Sequence, residues 1–191
     1  MRPRFRIAAA LGTAALVTSS LGLLAPAAHA ATTGNTATTF TLSGGALSIS
    51  VPATANLTPS AVATGTPTLS GALGSTNVTD ARGNLTATWT VTVTSTNFTT
   101  GGASANETVP KANVSYSSGA ATATTGTGAF TPGTVASLNG TVPASQIGGT
   151  WAGVSNNSAT WNPTIGVTLL NSNNTTAVAG TYTGTITQSV A

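Results

Sequence analysis

The stretch "ATWTVTVTSTNF", residues 87–98, decides the fold class. Trp89, Val91 and Val93 share one parity, and Thr88, Thr90, Thr92 and Thr94 share the other. A strict two-residue alternation is the mark of a strand with one face in a core and one in water. Threonine suits the outer face, because its branched Cβ fits a pleat and its hydroxyl meets solvent. The same pattern recurs elsewhere. Leu47, Ile49 and Val51 alternate in "ALSISV", Val114 and Tyr116 in "NVSY", and Ile165, Val167 and Leu169 in "TIGVTLL". Tyr182 and Ile186 flank Gly184 in "TYTGTIT". No apolar stripe with a 3.6-residue period is sustained downstream of residue 30, and helix-favouring Glu, Lys, Gln and Arg are scarce there. Between the alternating runs lie turn-rich stretches. "TDARG" places Asp80 first and Gly83 last, as a type I turn prefers. "TTGGASANE", "SSGAATATTGTG", "LNG", "TWAGVSNN" and "LLNSNNTTAVAG" read as loops. The expectation is an all-β protein: an antiparallel β-sandwich, Greek-key or immunoglobulin-like, or a partly closed barrel. Thr-x-Thr pairs recur at no fixed interval, which argues against a threonine solenoid.

The first thirty residues have a different character. Arg2, Arg4 and Arg6 precede an apolar run from Ile7 to Leu24, followed by Pro26 and the small-x-small Ala28-His29-Ala30. That order reads as a secretory signal peptide rather than a membrane anchor, since polar residues interrupt the run and a cleavage site follows it. The expected mature chain, 31–191, is a single domain without a membrane span, long enough at roughly 160 residues to bury a core. The C-terminus has no hydrophobic tail and no Leu-Pro sorting motif, so attachment to a cell would be non-covalent.

Charge supports the same division. The chain has a formal net charge of +3, and three arginines lie in residues 1–30. Asp80, Arg82, Glu107 and Lys111 are the only formal side-chain charges beyond it, and they cancel. The basic character therefore belongs to the leader, and no patch exists for nucleic acid or anionic lipid. There is no Cys, and the single His is His29. A secreted chain without disulfides depends on its core.

Catalysis needs groups that attack, move protons or hold a metal. Without His or Cys in 31–191, Ser-His-Asp and Cys-His chemistry and the usual zinc ligands are gone. Asp80 and Glu107 are the only carboxylates available for an acid–base pair. Asp80 has a turn role two positions from Arg82, and Glu107 stands four residues before Lys111. The expectation is no enzyme, no cofactor and no metal. Aromatic faces stack on sugars, so the tryptophans are the candidate glycan contacts. Trp89, in phase with Val91, and Trp161, at the start of a strand, also suit a core. Trp151, among loop-like residues, is the candidate for an exposed ring.

Residues 78–98, "VTDARGNLTATWTVTVTSTNF", carry a family resemblance. This segment resembles the first half of the WxL domain of Gram-positive surface proteins, in which an Asp-x-Arg-Gly turn precedes Trp-Thr-Leu/Val-x-Val and a Phe. The matching positions are Asp80, Arg82, Gly83, Trp89, Val91, Val93 and Phe98. The family commonly closes on a Gly-x-Tyr strand and a second Trp-x-Leu. "GTYTGTITQSV" is similar, with Gly180, Tyr182 and Ile186, but Gln188 and Val190 stand where Trp and Leu would. The resemblance implies a secreted, non-catalytic β-domain over 31–191, held without covalent bonds on the cell wall, with peptidoglycan or another wall glycan as partner. A self-associating extracellular matrix or fibre subunit is the alternative, with other surface proteins or further copies of itself as partners.

Overall fold

The computed structural model describes residues 33–57, 68–140 and 147–191, so the expected signal peptide lies outside the described residues. Residues up to Phe40 group separately from Thr41–Ala191. Residues 33–40 carry no regular secondary structure and are exposed. The fold described next is that of Thr41–Ala191, which begins ten residues beyond the expected mature N-terminus.

The unit is all-β, with every strand pairing antiparallel. In chain order the strands are β1 (Leu47–Ser50), β2 (Thr68–Ala72), β3 (Thr76–Asp80), β4 (Trp89–Ser95), β5 (Phe98–Thr99), β6 (Thr108–Val109), β7 (Val114–Ser117), β8 (Ala121–Pro132), β9 (Thr134–Val135), β10 (Ile147–Trp161), β11 (Thr164–Thr168) and β12 (Ile186–Val190). The larger sheet runs β1-β3-β10-β4-β12 with β8 also on β10, the smaller β2-β11-β7-β9, and β5 pairs β6. Among the described residues the only helical pieces are two short 3-10 turns, Ala105–Glu107 and Lys111–Asn113.

The opening motif behaves as its alternation predicts: β4 buries Trp89, Val91 and Val93 and leaves Thr90 and Thr92 half-buried. The other alternating runs become β1, β7, β11 and β12, although the last is regular only from Ile186. Two loop expectations are corrected. "SSGAATATTGTG" contributes most of β8, a 12-residue strand, and "TWAGVSNN" lies inside the 15-residue β10. Residues Thr122 to Ala129 of β8 are all exposed, so no apolar face marks the strand in the sequence. What forms it is backbone pairing along β10, from Gly149↔Pro132 to Trp161↔Ala121.

β10 is the spine of the larger sheet. Its first part pairs β4 (Trp151↔Trp89) and its last part pairs β3 (Asn157↔Asp80). Ten residues of straight strand would span about 33 Å. Yet the rings of Trp151 and Trp161 both lie beside Trp89, at centroid distances of 6.1 and 6.3 Å. The strand therefore folds back on itself, at Ser155 (φ 59°), where the register with β8 slips between Val154 and Ser158. Gly126, opposite the slip, has φ +87°, and a side chain there would strike the Asn156 carbonyl. This paired bulge sharpens the local twist and curls the sheet into a nearly closed barrel.

Two cores result. The barrel encloses Val78, Trp89, Val91, Trp151, Ala159 and Trp161. The space between the two sheets holds Val93, Val109, Val114, Tyr116, Leu138, Ile165 and Val167. β4 feeds both, with Val91 in one and Val93 in the other. A buried Trp removes about 150–250 Å² from water, worth about 4–6 kcal/mol before entropic costs, so the three tryptophans dominate the barrel.

Candidate functional site

Residues 80–88, between β3 and β4, form one structural clamp. β3 ends at Asp80, which is 1% exposed, and Arg82 folds back on it. Arg82 Nε donates to Asp80 Oδ1 at 2.9 Å and Nη2 to Oδ2 at 2.8 Å. The Arg82 backbone N–H also donates to Oδ1 at 3.0 Å, and Nη2 reaches the Thr88 carbonyl at 2.8 Å. The bonds from Arg82 hold the Asp80 carboxyl below its ordinary range, and they outweigh the opposing effect of burial. Gly83 follows at φ +68°, a left-handed conformation that favours glycine. Asp80, Arg82 and Gly83 thus tie the end of β3 to the start of β4, across a loop that also bonds to β10 through Ala87 N–H to Gly153 O and Ser155 N–H to Asn84 O.

The proposed glycan contacts are placed inside the molecule. Trp89 and Trp151 are each 2% exposed, Trp161 and Val91 0%. Trp151 corrects the expectation of an exposed ring: it stacks on Trp89 with an interplanar angle of 12°. Its neighbours looked like a loop because Gly153, Ser155 and Asn156 interrupt the apolar run. The signal available was parity, since Trp151, Ala159 and Trp161 are all odd-numbered and all buried. None of these side chains offers a ring face to a ligand.

Their polar atoms are satisfied from within, with one exception. Trp89 Nε1 donates to Asn157 Oδ1 at 2.8 Å. Trp161 Nε1 donates to Tyr116 Oη at 3.2 Å, and Tyr116 Oη donates to Gln188 Oε1 at 3.0 Å. Gln188 Nε2 then donates to Thr76 Oγ1 at 3.3 Å. The Trp161–Tyr116 bond thus joins the two cores, and Gln188, at the position the resemblance aligns with a second Trp, extends it to Thr76 on β3. Burial pushes the Tyr116 hydroxyl up to about 12, with the Trp161 N–H pulling the other way. The exception is Trp151 Nε1, which is buried and has no hydrogen-bond partner among the described residues. It lies under the cross-strand pair Gly128↔Gly153, where a Cβ on either glycine would come within 2.8 or 2.7 Å of it.

Two concavities reach the surface. A recess of about 300 Å³ beside the motif turn is lined by Leu42, Ser43, Gly44, Ala81, Arg82, Gly83, Asn84 and Asn156. Asn84 and Asn156 are exposed, and Arg82 keeps 30% of its side chain accessible. The second is an open apolar groove of about 790 Å³ at the other end of β1, walled by residues 51–57, by β2 and β11, and by the chain from Ala177 to Gln188.

The second carboxylate is engaged on its own. Glu107 Oε2 accepts from the Ser104 N–H at 3.1 Å and from Ser104 Oγ at 2.8 Å, a capping box on the first 3-10 turn that lowers its pKa. Among the described residues no hydrogen bond joins it to Asp80. Among the described residues no group of three or more His, Cys, Asp or Glu could hold a metal, and no helix is long and apolar enough to cross a membrane. Comparison with protein-family models, curated proteins and solved structures finds no match.

Proposed function

We propose that this chain is a non-catalytic, secreted module that associates non-covalently with the bacterial cell wall through a WxL-like domain. The observation that carries the reading is the folded form of residues 78–98. The segment resembling the family is a single clamped unit, with a polar recess opening beside its turn. The buried tryptophans act as scaffold in this reading, and the contact is made by the recess. The Arg82 guanidinium supplies donors suited to a peptide carboxylate, and Asn84 and Asn156 supply donors and acceptors suited to sugar hydroxyls or amides. Such partners occur together in peptidoglycan.

Retention of the purified protein on insoluble peptidoglycan tests this. Asn84→Ala combined with Asn156→Ala should weaken retention about tenfold, or 1.4 kcal/mol, while circular dichroism stays unchanged because both side chains are exposed. A folded parent that washes off completely would sink the proposal.

Self-association is the second reading, favoured by β8. Among the described residues this strand pairs only β10; it runs for 12 residues and carries no charge. A long edge without Lys or Glu lacks a common safeguard against pairing with another chain. Sedimentation of Thr124→Lys should show fewer oligomers than the parent; equal oligomerisation would remove β8 as the contact.

A further inference from the structure

Two features of the chain are each incomplete and complement one another. The first is a strand-patterned segment outside any sheet. "TTFTLS", residues 38–43, alternates in the manner of β4, with Phe40 and Leu42 on one parity and Thr39, Thr41 and Ser43 on the other. Yet no strand forms there, and Phe40 and Leu42 are 89% and 86% exposed. With Leu85 at 86%, they are the three most exposed large apolar side chains described.

The second is a sandwich flank on which no strand lies among the described residues. The 790 Å³ groove is lined by Leu57, Leu69, Phe98, Leu169 and Ile186, all only half-buried against the inter-sheet core. One wall is the Ile186–Gln188 half of β12, the end strand of the larger sheet. The opposite wall includes β2, the end strand of the smaller sheet. An end strand presents backbone donors and acceptors along its outer side, and an open flank between two end strands is where an additional strand fits.

We infer that residues 38–43 of one copy insert into this groove of a second copy, with Phe40 and Leu42 seated among its leucines. This goes beyond wall attachment and gives the self-association reading a donor and an acceptor. Donor and acceptor chemistries match: both are apolar and uncharged, and the alternation places both anchors on one face. A second copy is the occupant because Leu42 lies at the opposite end of β1 from the groove. Gly45 N–H bonds to the Ala81 carbonyl and Leu42 lies in the recess by Arg82, at the start of β1. The groove opens beyond the other end of β1, from Val51 onward. Because donor and acceptor surfaces differ, the contact is heterologous and propagates head to tail, unlike a two-fold β8–β8 contact.

Cysteine cross-linking reads this directly, since the protein has no native Cys. Full-length secreted protein carrying Leu42→Cys is mixed with differently tagged protein carrying Thr185→Cys, an exposed position on the groove wall. Under mild oxidation the expected result is a disulfide-linked heterodimer well above the yield from Leu42→Cys mixed with Thr122→Cys on β8. Phe40→Ser with Leu42→Ser should abolish the concentration-dependent oligomers expected in sedimentation without lowering the melting temperature of dilute protein. Thr124→Lys should leave them intact, which separates this contact from β8 pairing. The inference is overturned if the parent stays monomeric at every concentration, if the double serine variant assembles like the parent, or if a Leu42→Cys/Thr185→Cys double variant links within one chain.

Discussion

The barrel core and the inter-sheet core share β4 but solve burial differently. In the barrel, three indoles and Phe130 stack at centroid distances of 4.9 to 6.3 Å, and the sheet curls around them. Between the sheets, valines, Leu138 and Ile165 form a smaller-residue core whose flank stays open along the groove. A single bent strand, β10, accounts for much of the difference. It wraps the barrel from both sides of Ser155, whereas the smaller sheet is built from strands of five residues or fewer, and among the described residues no strand pairs the outer side of β2. Closure is thus a property of one long strand, and the large aromatic volume is what that closure contains.

The largest test of this contrast is Trp161→Ala. It deletes a ring that touches Trp89 and Phe130 and also supplies the N–H bonded to Tyr116. Loss of about 3–5 kcal/mol is expected in urea unfolding, as for large aromatic deletions in packed cores. A loss below about 1 kcal/mol would mean that the barrel collapses around the gap and is not held by the stack.

Next comes the Asp80 clamp, which fixes where β3 ends and β4 begins. Asp80→Asn should cost about 2–3 kcal/mol, less than the 3–5 of a fully buried pair, because Arg82 is partly hydrated. The pH dependence follows in sign. Asp80 titrates lower folded than unfolded, so its stabilisation is complete above the unfolded value near 3.9 and fades as pH falls through the folded one. Tyr116 works in the opposite sense: its stabilisation holds below the unfolded value near 10 and fades as pH climbs toward about 12. Thermal melts should therefore be flat between about pH 6 and 9 and fall at both extremes. A marked slope within that window would contradict this assignment of the titrating groups.

The sequence made β4 and its neighbours legible because Val and Trp alternate with Thr, so each face announces its surroundings. It also singled out Asp80, Arg82 and Gly83 as a turn. β8 escaped, because a ribbon exposed on both faces has no apolar periodicity to read. β10 escaped because a bulge of Ser155, Asn156 and Asn157 looks like a loop in composition, although it is the hinge on which the barrel closes. The fold-back that brings Trp151 and Trp161 to the same indole is a tertiary fact, and so is the role of Gln188. A polar residue in a strand of Thr and Ser gives no sign that its amide ties Tyr116 in the inter-sheet core to Thr76 on β3.

That amide supplies the third test. Gln188→Ala leaves the Tyr116 hydroxyl without its acceptor and Thr76 without its donor, while the bond from Trp161 survives. A loss of about 1–2 kcal/mol is expected, the usual cost of orphaning a buried polar group. Gln188→Leu, which keeps the volume, should lose nearly as much. Full recovery with Leu would assign the effect to packing in place of hydrogen bonding.

The smallest effect is expected at the groove, and it is the most informative about the open core. Leu169 is half-buried on the groove wall, so Leu169→Ala removes contacts on one side only. About 1 kcal/mol should be lost in dilute protein, against 2–5 for a leucine enclosed on all sides. If the groove receives a strand from a second copy, the same leucine becomes enclosed in the assembly, and association stabilises the folded state by mass action. The penalty should then grow with protein concentration, measured as the gap in melting temperature between parent and variant at low and high loading. In the Phe40→Ser, Leu42→Ser background that growth should vanish while the dilute penalty remains. A constant gap at all concentrations in both backgrounds would leave the groove a solvent-facing flank, and the two cores would differ only in how tightly each is packed.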